Sequence, residues 1–221
     1  ENSDGSRQIG WFFGDAGPAK TIEIAYNCRL ANAPENQDGA VLAGTIASMS
    51  WQEKGAGRSD ADEAGSIAVV EPDLTLEMQA DRPFTAPEEH VSLTLLLYHS
   101  AQSHAPAFDL DLQALLPAEL EYEPGSAEVL AGPAAAFDGE ALRWQMDDLG
   151  LDWNASQKAI LCFNATARAE VGELIAGRAR LTWTSQAGAI AEERTGAGGC
   201  SDYLRETGAS VKVMSLSLTK T

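Results

Sequence analysis

Three observations in the sequence predict an all-β protein of Greek-key β-sandwiches in tandem. Short segments alternate apolar with polar residues, turn residues fall between them, and a self-similarity runs along the chain. Alternation with a period of two is what a half-buried strand requires, because successive side chains point to opposite sides of the pleat.

The strands read as follows. Leu74-Thr-Leu-Glu-Met78 opens the complete set, and Val91 to Tyr98 and Phe108 to Leu112 come next. Ala159 to Ala167, Arg180 to Thr184 and Ser210 to Ser217 complete it. Each is five to nine residues of alternating or β-branched character. Pro83, Pro87, Pro117, Glu123-Pro-Gly125, Ala131-Gly-Pro133 and Asp138-Gly139 all lie between these runs, where Pro and Gly supply the backbone angles of turns. Ala131 to Phe137 is Ala-rich, but Gly132 and Pro133 interrupt it, so it reads as a loop or a short strand edge. About seven short strands of this kind fit two antiparallel sheets closing one core.

The self-similarity has six anchors in one order. Ile9 to Ala16 matches Leu142 to Leu149, with Trp11 facing Trp144, and Lys20 to Tyr26 matches Lys158 to Asn164. Ala47 to Trp51 matches Ala179 to Trp183, and Ser59-Asp60 matches Ser201-Asp202. Ala64 to Val69 matches Thr207 to Lys212, and Leu74 to Met78 matches Leu216 to Lys220. The period is about 140 residues, which divides the chain into residues 1–71 as the C-terminal portion of one unit, 72–214 as a complete unit, and 215–221 as the first strand of the next. The start reads as a cut in a longer protein, with any signal peptide removed or far upstream. The recurring Trp11, Trp51, Trp144 and Trp183 read as core positions, and Trp153, which does not recur, as a surface contact.

The formal charge is −18, from 33 acidic and 15 basic residues. Nucleic acid and anionic membrane surfaces need a basic face and are disfavoured. No run approaches the roughly 18 apolar residues of a membrane helix. Cys28, Cys162 and Cys200 have no CxxC spacing, so neither a zinc site nor a disulfide framework is indicated. Cys162, in an apolar strand, reads as a small core residue, and Cys200 as an exposed loop thiol.

The strings Glu71-Pro-Asp-Leu-Thr-Leu76, Val91-Ser-Leu-Thr-Leu95, Leu116-Pro-Ala-Glu-Leu-Glu-Tyr-Glu-Pro-Gly-Ser126, Leu142-Arg-Trp and Leu149 resemble the conserved bacterial surface repeat known as domain of unknown function eleven. The pattern L-P-x-x-L-x-Y-x-P-G-S is its most specific part. The resemblance spans Pro72 to Val213, and its second half recurs over Gly10 to Val70. It implies tandem Ig-like Greek-key β-sandwiches in a large secreted or cell-surface protein, with neighbouring repeat units as partners. It also implies the option of a Lys–Asn isopeptide crosslink. The complete unit departs from that option, with Met78 where the following unit has Lys220, and Tyr98-His-Ser where Asn-Thr is usual.

No HExxH, GxSxG, P-loop or strand-following GxGxxG occurs, so the sequence predicts no enzyme. Asp109 and Asp111 share one strand face, the solvated one. His90, His99 and His104 read as surface residues at the ends of one strand and in the loop after it. Asn154 and Asn164 head Asn-x-Ser/Thr strings, Asn164 in mid-strand. Calcium is the one cofactor the sequence raises. Glu71 and Asp73 flank Pro72 where the two units meet, and the loop with Glu35, Asn36 and Asp38 lies at the same end, giving Glu35, Asp38, Glu71 and Asp73 as candidate ligands. The opposed reading is solvated acids that limit aggregation. The predicted role is a non-enzymatic spacer in an extracellular stalk, fibre or surface layer. An adhesin-type module for glycan or protein and an accessory domain of a larger secreted enzyme are the alternatives. A homopolymer completed by strand donation is a further possibility.

Overall fold

The computed structural model describes residues 9–15, 17, 21–28, 30, 33, 36–44, 46–188 and 203–215. The chain divides into two compact units, Glu1–Leu30 and Ala31–Thr221. In the first, the described residues form neither helix nor strand, and the rings of Trp11 and Tyr26 meet at 5.8 Å.

The second unit is all β in its described residues. It opens with β1 (Val41–Leu42), the hairpin strands β2 (Ile46–Glu53) and β3 (Ala56–Glu63), and β4 (Ile67–Ala68). These are followed by β5 (Leu74–Ala80), β6 (Phe84–Thr85), β7 (His90–His99), β8 (Ala107–Leu115), β9 (Leu120–Tyr122), β10 (Glu128–Ala131) and β11 (Ala136–Asp138). The last four are β12 (Arg143–Leu149), β13 (Ala159–Ala167), β14 (Leu174–Thr184) and β15 (Leu204–Val213).

From β5 onward the strands make an Ig-like sandwich of two sheets. One has the order β10-β13-β7-β5, with β9 also on β13; the other has the order β11-β12-β8-β14-β15-β6. All pairings are antiparallel except β15 with β6. The chain passes repeatedly from one sheet to the other, at β5–β6, β6–β7, β7–β8, β8–β9, β10–β11, β12–β13 and β13–β14, the crossovers of a Greek key.

The core is set by phase along the strands. In β7, Val91, Leu93, Leu95 and Leu97 point inward and are at most 1% exposed. In β13, Ala159, Leu161, Phe163, Ala165 and Ala167 do the same. Trp144 packs on Phe163 at 5.8 Å and Trp183 stacks on Tyr203 at 5.7 Å. Each buried Val, Leu or Phe side chain contributes roughly 1.5–3 kcal/mol relative to exposure.

Several expectations need correction. Cys162 is not a core residue: it lies out of phase with its inward neighbours and half-exposed on the outer face of β13. Trp153 is half-buried and packs on the core, so it is not a free surface contact. Trp11 and Trp51 are 46% and 41% exposed, unlike Trp144 and Trp183 at 1%. Among the described residues before Val70 no second sheet covers β2 and β3. The strand expected over Ser210–Ser217 runs Leu204–Val213 instead, and the one expected over Arg180–Thr184 begins at Leu174. The Ala131–Phe137 segment joins two short strands, β10 and β11. Asp109 sits at φ 48° in a bulge of β8, and its carboxylate accepts bonds from the Thr184 hydroxyl and the Gly188 N–H. Asp111 is clamped by two Arg143 bonds of 2.6 and 2.7 Å.

Candidate functional site

The linker Glu71-Pro-Asp73 leads into β5 and cannot pair with a strand at Pro72, which has no N–H to donate and a fixed φ. Its backbone polar groups must therefore find partners elsewhere or remain in water. They find them on two elements, the turn Asn36–Ala40 and the loop Ser100–Ala105.

The turn is tied to the linker first. Gly39, at φ 78°, donates its N–H to the Val69 carbonyl at 3.0 Å, and the Val69 N–H returns a bond to the Ala40 carbonyl at 2.8 Å. Asp38 Oδ1 accepts the Glu71 N–H at 2.9 Å. Positive φ suits Gly because it has no Cβ to clash.

The loop takes the other side. His104 N–H donates to the Glu71 carbonyl at 3.1 Å, and Ser100 N–H to the Asp73 carbonyl at 2.9 Å. The Asp73 N–H donates to Ser103 Oγ at 2.9 Å. Side chains add to this clasp. The Ser100 hydroxyl donates to Asp73 Oδ2, Arg205 of β15 donates to Asp73 Oδ1, and His104 Nδ1 lies 3.5 Å from Asp38 Oδ2. Pro72 is buried beneath these contacts.

The clasp is anchored in the core by His99. Its ring is 2% exposed, in phase with Val91, Leu93, Leu95 and Leu97 along β7, which corrects the expectation of a surface histidine. Nε2 lies 2.9 Å from the Leu149 carbonyl and Nδ1 2.6 Å from Ser103 Oγ. The network assigns the tautomer. A carbonyl only accepts, so Nε2 carries the hydrogen, and Nδ1 accepts from the Ser103 hydroxyl, which in turn accepts the Asp73 N–H. Burial lowers the His99 pKa below its ordinary value, against smaller opposing effects of the Leu149 carbonyl, Asp152 and Asp73.

Of the four candidate calcium ligands, Asp38, Glu71 and Asp73 come together here, as does the loop after β7; Glu35 lies outside the described residues. The two Asp73 oxygens are engaged by Ser100 and Arg205. Among the described residues no group of three or more His, Cys, Asp or Glu side chains is arranged to hold a metal ion. The sequence also leads one to expect the loop His99 to Ala107 at this junction, but it does not show the bonding roles of His99, Ser100, Ser103 and Arg205. The phase of β7 held the signal for His99, while Arg205 is far along the chain and had none.

The Gly39–Val69 arrangement occurs a second time. Gly172, at φ 99°, donates to the Val213 carbonyl at 2.8 Å, and the Val213 N–H bonds the Glu173 carbonyl at 2.9 Å. The pairs that follow also correspond: Val41 opposes Ala68 as Leu174 opposes Lys212, and Leu42 opposes Ile67 as Ile175 opposes Val211.

No family model matches the chain, and no curated protein does. Among solved structures, the collagen adhesin from S. aureus is similar at 8% identity and TM-score 0.37, over 72% of this chain and 54% of that one. The chain thus spans about half the length of that adhesin. MyfA, the major subunit of Myf fimbriae from Yersinia enterocolitica, is similar at 10% identity and TM-score 0.33, over 64% and 99%. AvmM, which catalyses macrocyclization in alchivemycin A biosynthesis, is similar at 9% identity and TM-score 0.36, over 77% and 98%. At these values the likeness carries no argument about function, and the sandwich is read from its own strands.

Proposed function

We propose that the chain is a structural repeat segment of a bacterial extracellular stalk, fibre or surface layer, in which one sandwich is joined stiffly to the next. The observation that carries this reading is the clasp. Both N–H groups of Glu71-Pro-Asp73 and the carbonyls of Glu71 and Asp73 are bonded to the turn before the linker or to the loop beyond it. A linker whose polar groups are held on two sides loses the freedom of a solvated hinge. The second occurrence of the Gly–Val pairing at Gly172 and Val213, just before the chain leaves the sandwich, supports a joint that recurs with the unit. The excess of negative charge suits a displayed surface that repels its copies.

The test is microscopy of the native full-length protein, labelled with an antibody raised against residues 72–214. A beaded filament or layer of regular spacing at the cell surface is the expected result. Labelling confined to a compact soluble enzyme would refute the reading.

A further inference from the structure

The loop Ser100–Ala105 supplies the groups that hold Asp38, Glu71 and Asp73, and the loop itself is pinned to the core through one buried ring. We infer that the clasp is acid-released: taking a second proton on His99 frees the loop and, with it, the linker Glu71-Pro-Asp73 that leads into the sandwich. This rests on reading residues 69–73 as a joint.

A second proton can be held on Nδ1 only by giving up the hydrogen bond that the ring now receives there. Nε2–H already faces the Leu149 carbonyl, and Nδ1 meets the Ser103 hydroxyl, which donates to it at 2.6 Å. An Nδ1–H would force the Ser103 hydroxyl to turn away, toward the Ala105 carbonyl at 3.4 Å, while still accepting the Asp73 N–H. The charged ring would also stand in a site 2% exposed, where an ion is costly without close pairing. Among the described residues the charged groups facing it from the surrounding elements are Asp152 after β12 and Asp73 on the linker. Asp73 is already neutralised by Arg205 from β15. Farther out, Asp38 of the turn lies beside His104 of the loop. Neither Asp152 nor Asp73 bonds the ring directly.

Linkage fixes the direction. Burial lowers the folded pKa of His99 below 6.5. The clasp is therefore fully closed above that value and weakens as pH falls from there toward the folded pKa. Release of the loop restores an exposed imidazole, and the closed state loses about tenfold in population relative to the open one for each pH unit across that window.

Amide hydrogen exchange on the full chain tests this, read as protection factors between pH 8 and 5. The amides of Glu71, Asp73, Ser100 and His104 should lose protection together as pH falls below 6.5, in step with the titration of the His99 imidazole resonance. The amides of Gly172 and Val213, in the same pairing without a histidine, and of Leu95 and Leu161 in the core should keep theirs. In His99→Gln the pH dependence should vanish, and in His104→Gln it should persist. Constant protection of the four amides while His99 titrates would overturn the clasp's acid release and leave the stiff joint standing. Low protection of all four already at pH 8 would overturn the stiff joint itself. Loss of protection in the core over the same pH range would show global acid unfolding and also refute the release. Should His99→Gln fail to fold, the coincidence with the His99 titration in the unaltered chain decides the matter.

Discussion

His99 donates its Nε2–H to the Leu149 carbonyl across 2.9 Å, joining the end of β7 to the end of β12 from inside the core. Replacing His99 by Ala removes the ring's bond to that carbonyl inside the core and turns the half-buried Ser103 hydroxyl toward the Ala105 carbonyl. The expected cost is about 2–4 kcal/mol in urea unfolding at pH 7.5. A change under about 0.5 kcal/mol would show that the ring is held only by packing.

The same residue gives the stability curve a sign. With the folded pKa depressed, the neutral ring's contribution is complete above pH 6.5 and declines as pH falls. The urea midpoint of the unaltered chain should therefore drop from pH 7.5 to 5.5 more steeply than that of His99→Gln. Parallel curves for the two proteins would contradict this.

The two classes of tryptophan should separate. Trp144 is 1% exposed and wedged between Phe137 and Phe163, so Trp144→Ala should cost about 3–5 kcal/mol. Trp51 is 41% exposed, and Trp51→Ala should cost less than about 1 kcal/mol. Acrylamide should quench Trp11 and Trp51 and spare Trp144 and Trp183. Equal quenching of the four would place them in one environment.

The Asp73–Arg205 pair is partly open to solvent, at 33% and 38% side-chain exposure. A double-mutant cycle with Asp73→Asn and Arg205→Gln should give a coupling of about 0.5–1 kcal/mol that shrinks in 1 M salt. Because guanidinium and hydroxyl already take the Asp73 oxygens, the melting temperature should be the same in calcium and in chelator. A calcium-dependent rise of several degrees would return Asp38, Glu71 and Asp73 to the role of ligands.

Cys162 should tolerate Ser at a cost under about 1 kcal/mol, because its side chain leaves the sheet on the outer face. Burial and the neighbouring Glu128 raise its thiol pKa. Alkylation should accordingly be slow at neutral pH and accelerate with alkali. Rapid labelling at pH 7 would argue against this environment.

Periodicity alone located the long central strands and most of the core: β13 runs over the expected Ala159–Ala167, and β7 adds one residue at each end of Val91–Tyr98, whereas β6 and β9 and the true bounds of β14 and β15 were not in the pattern. A period-two pattern reports which face a side chain takes, and followed strictly it also places His99 inward and Cys162 outward. The misreadings of those two came from judging residue type ahead of phase. Composition and motif spacing identified the acidic junction around Glu71 and Asp73. They also put the loop with Asp38 at that end. What they could not supply was the bonds made there, because Asp38, Ser100, Ser103 and Arg205 are brought to the linker by sheet order and loop closure, with separations along the chain from 27 to 132 residues. Local pattern records the burial each residue prefers. Whether a carboxylate meets a cation, a hydroxyl or water depends on which distant segments fold beside it, and at this joint the tertiary structure made that choice.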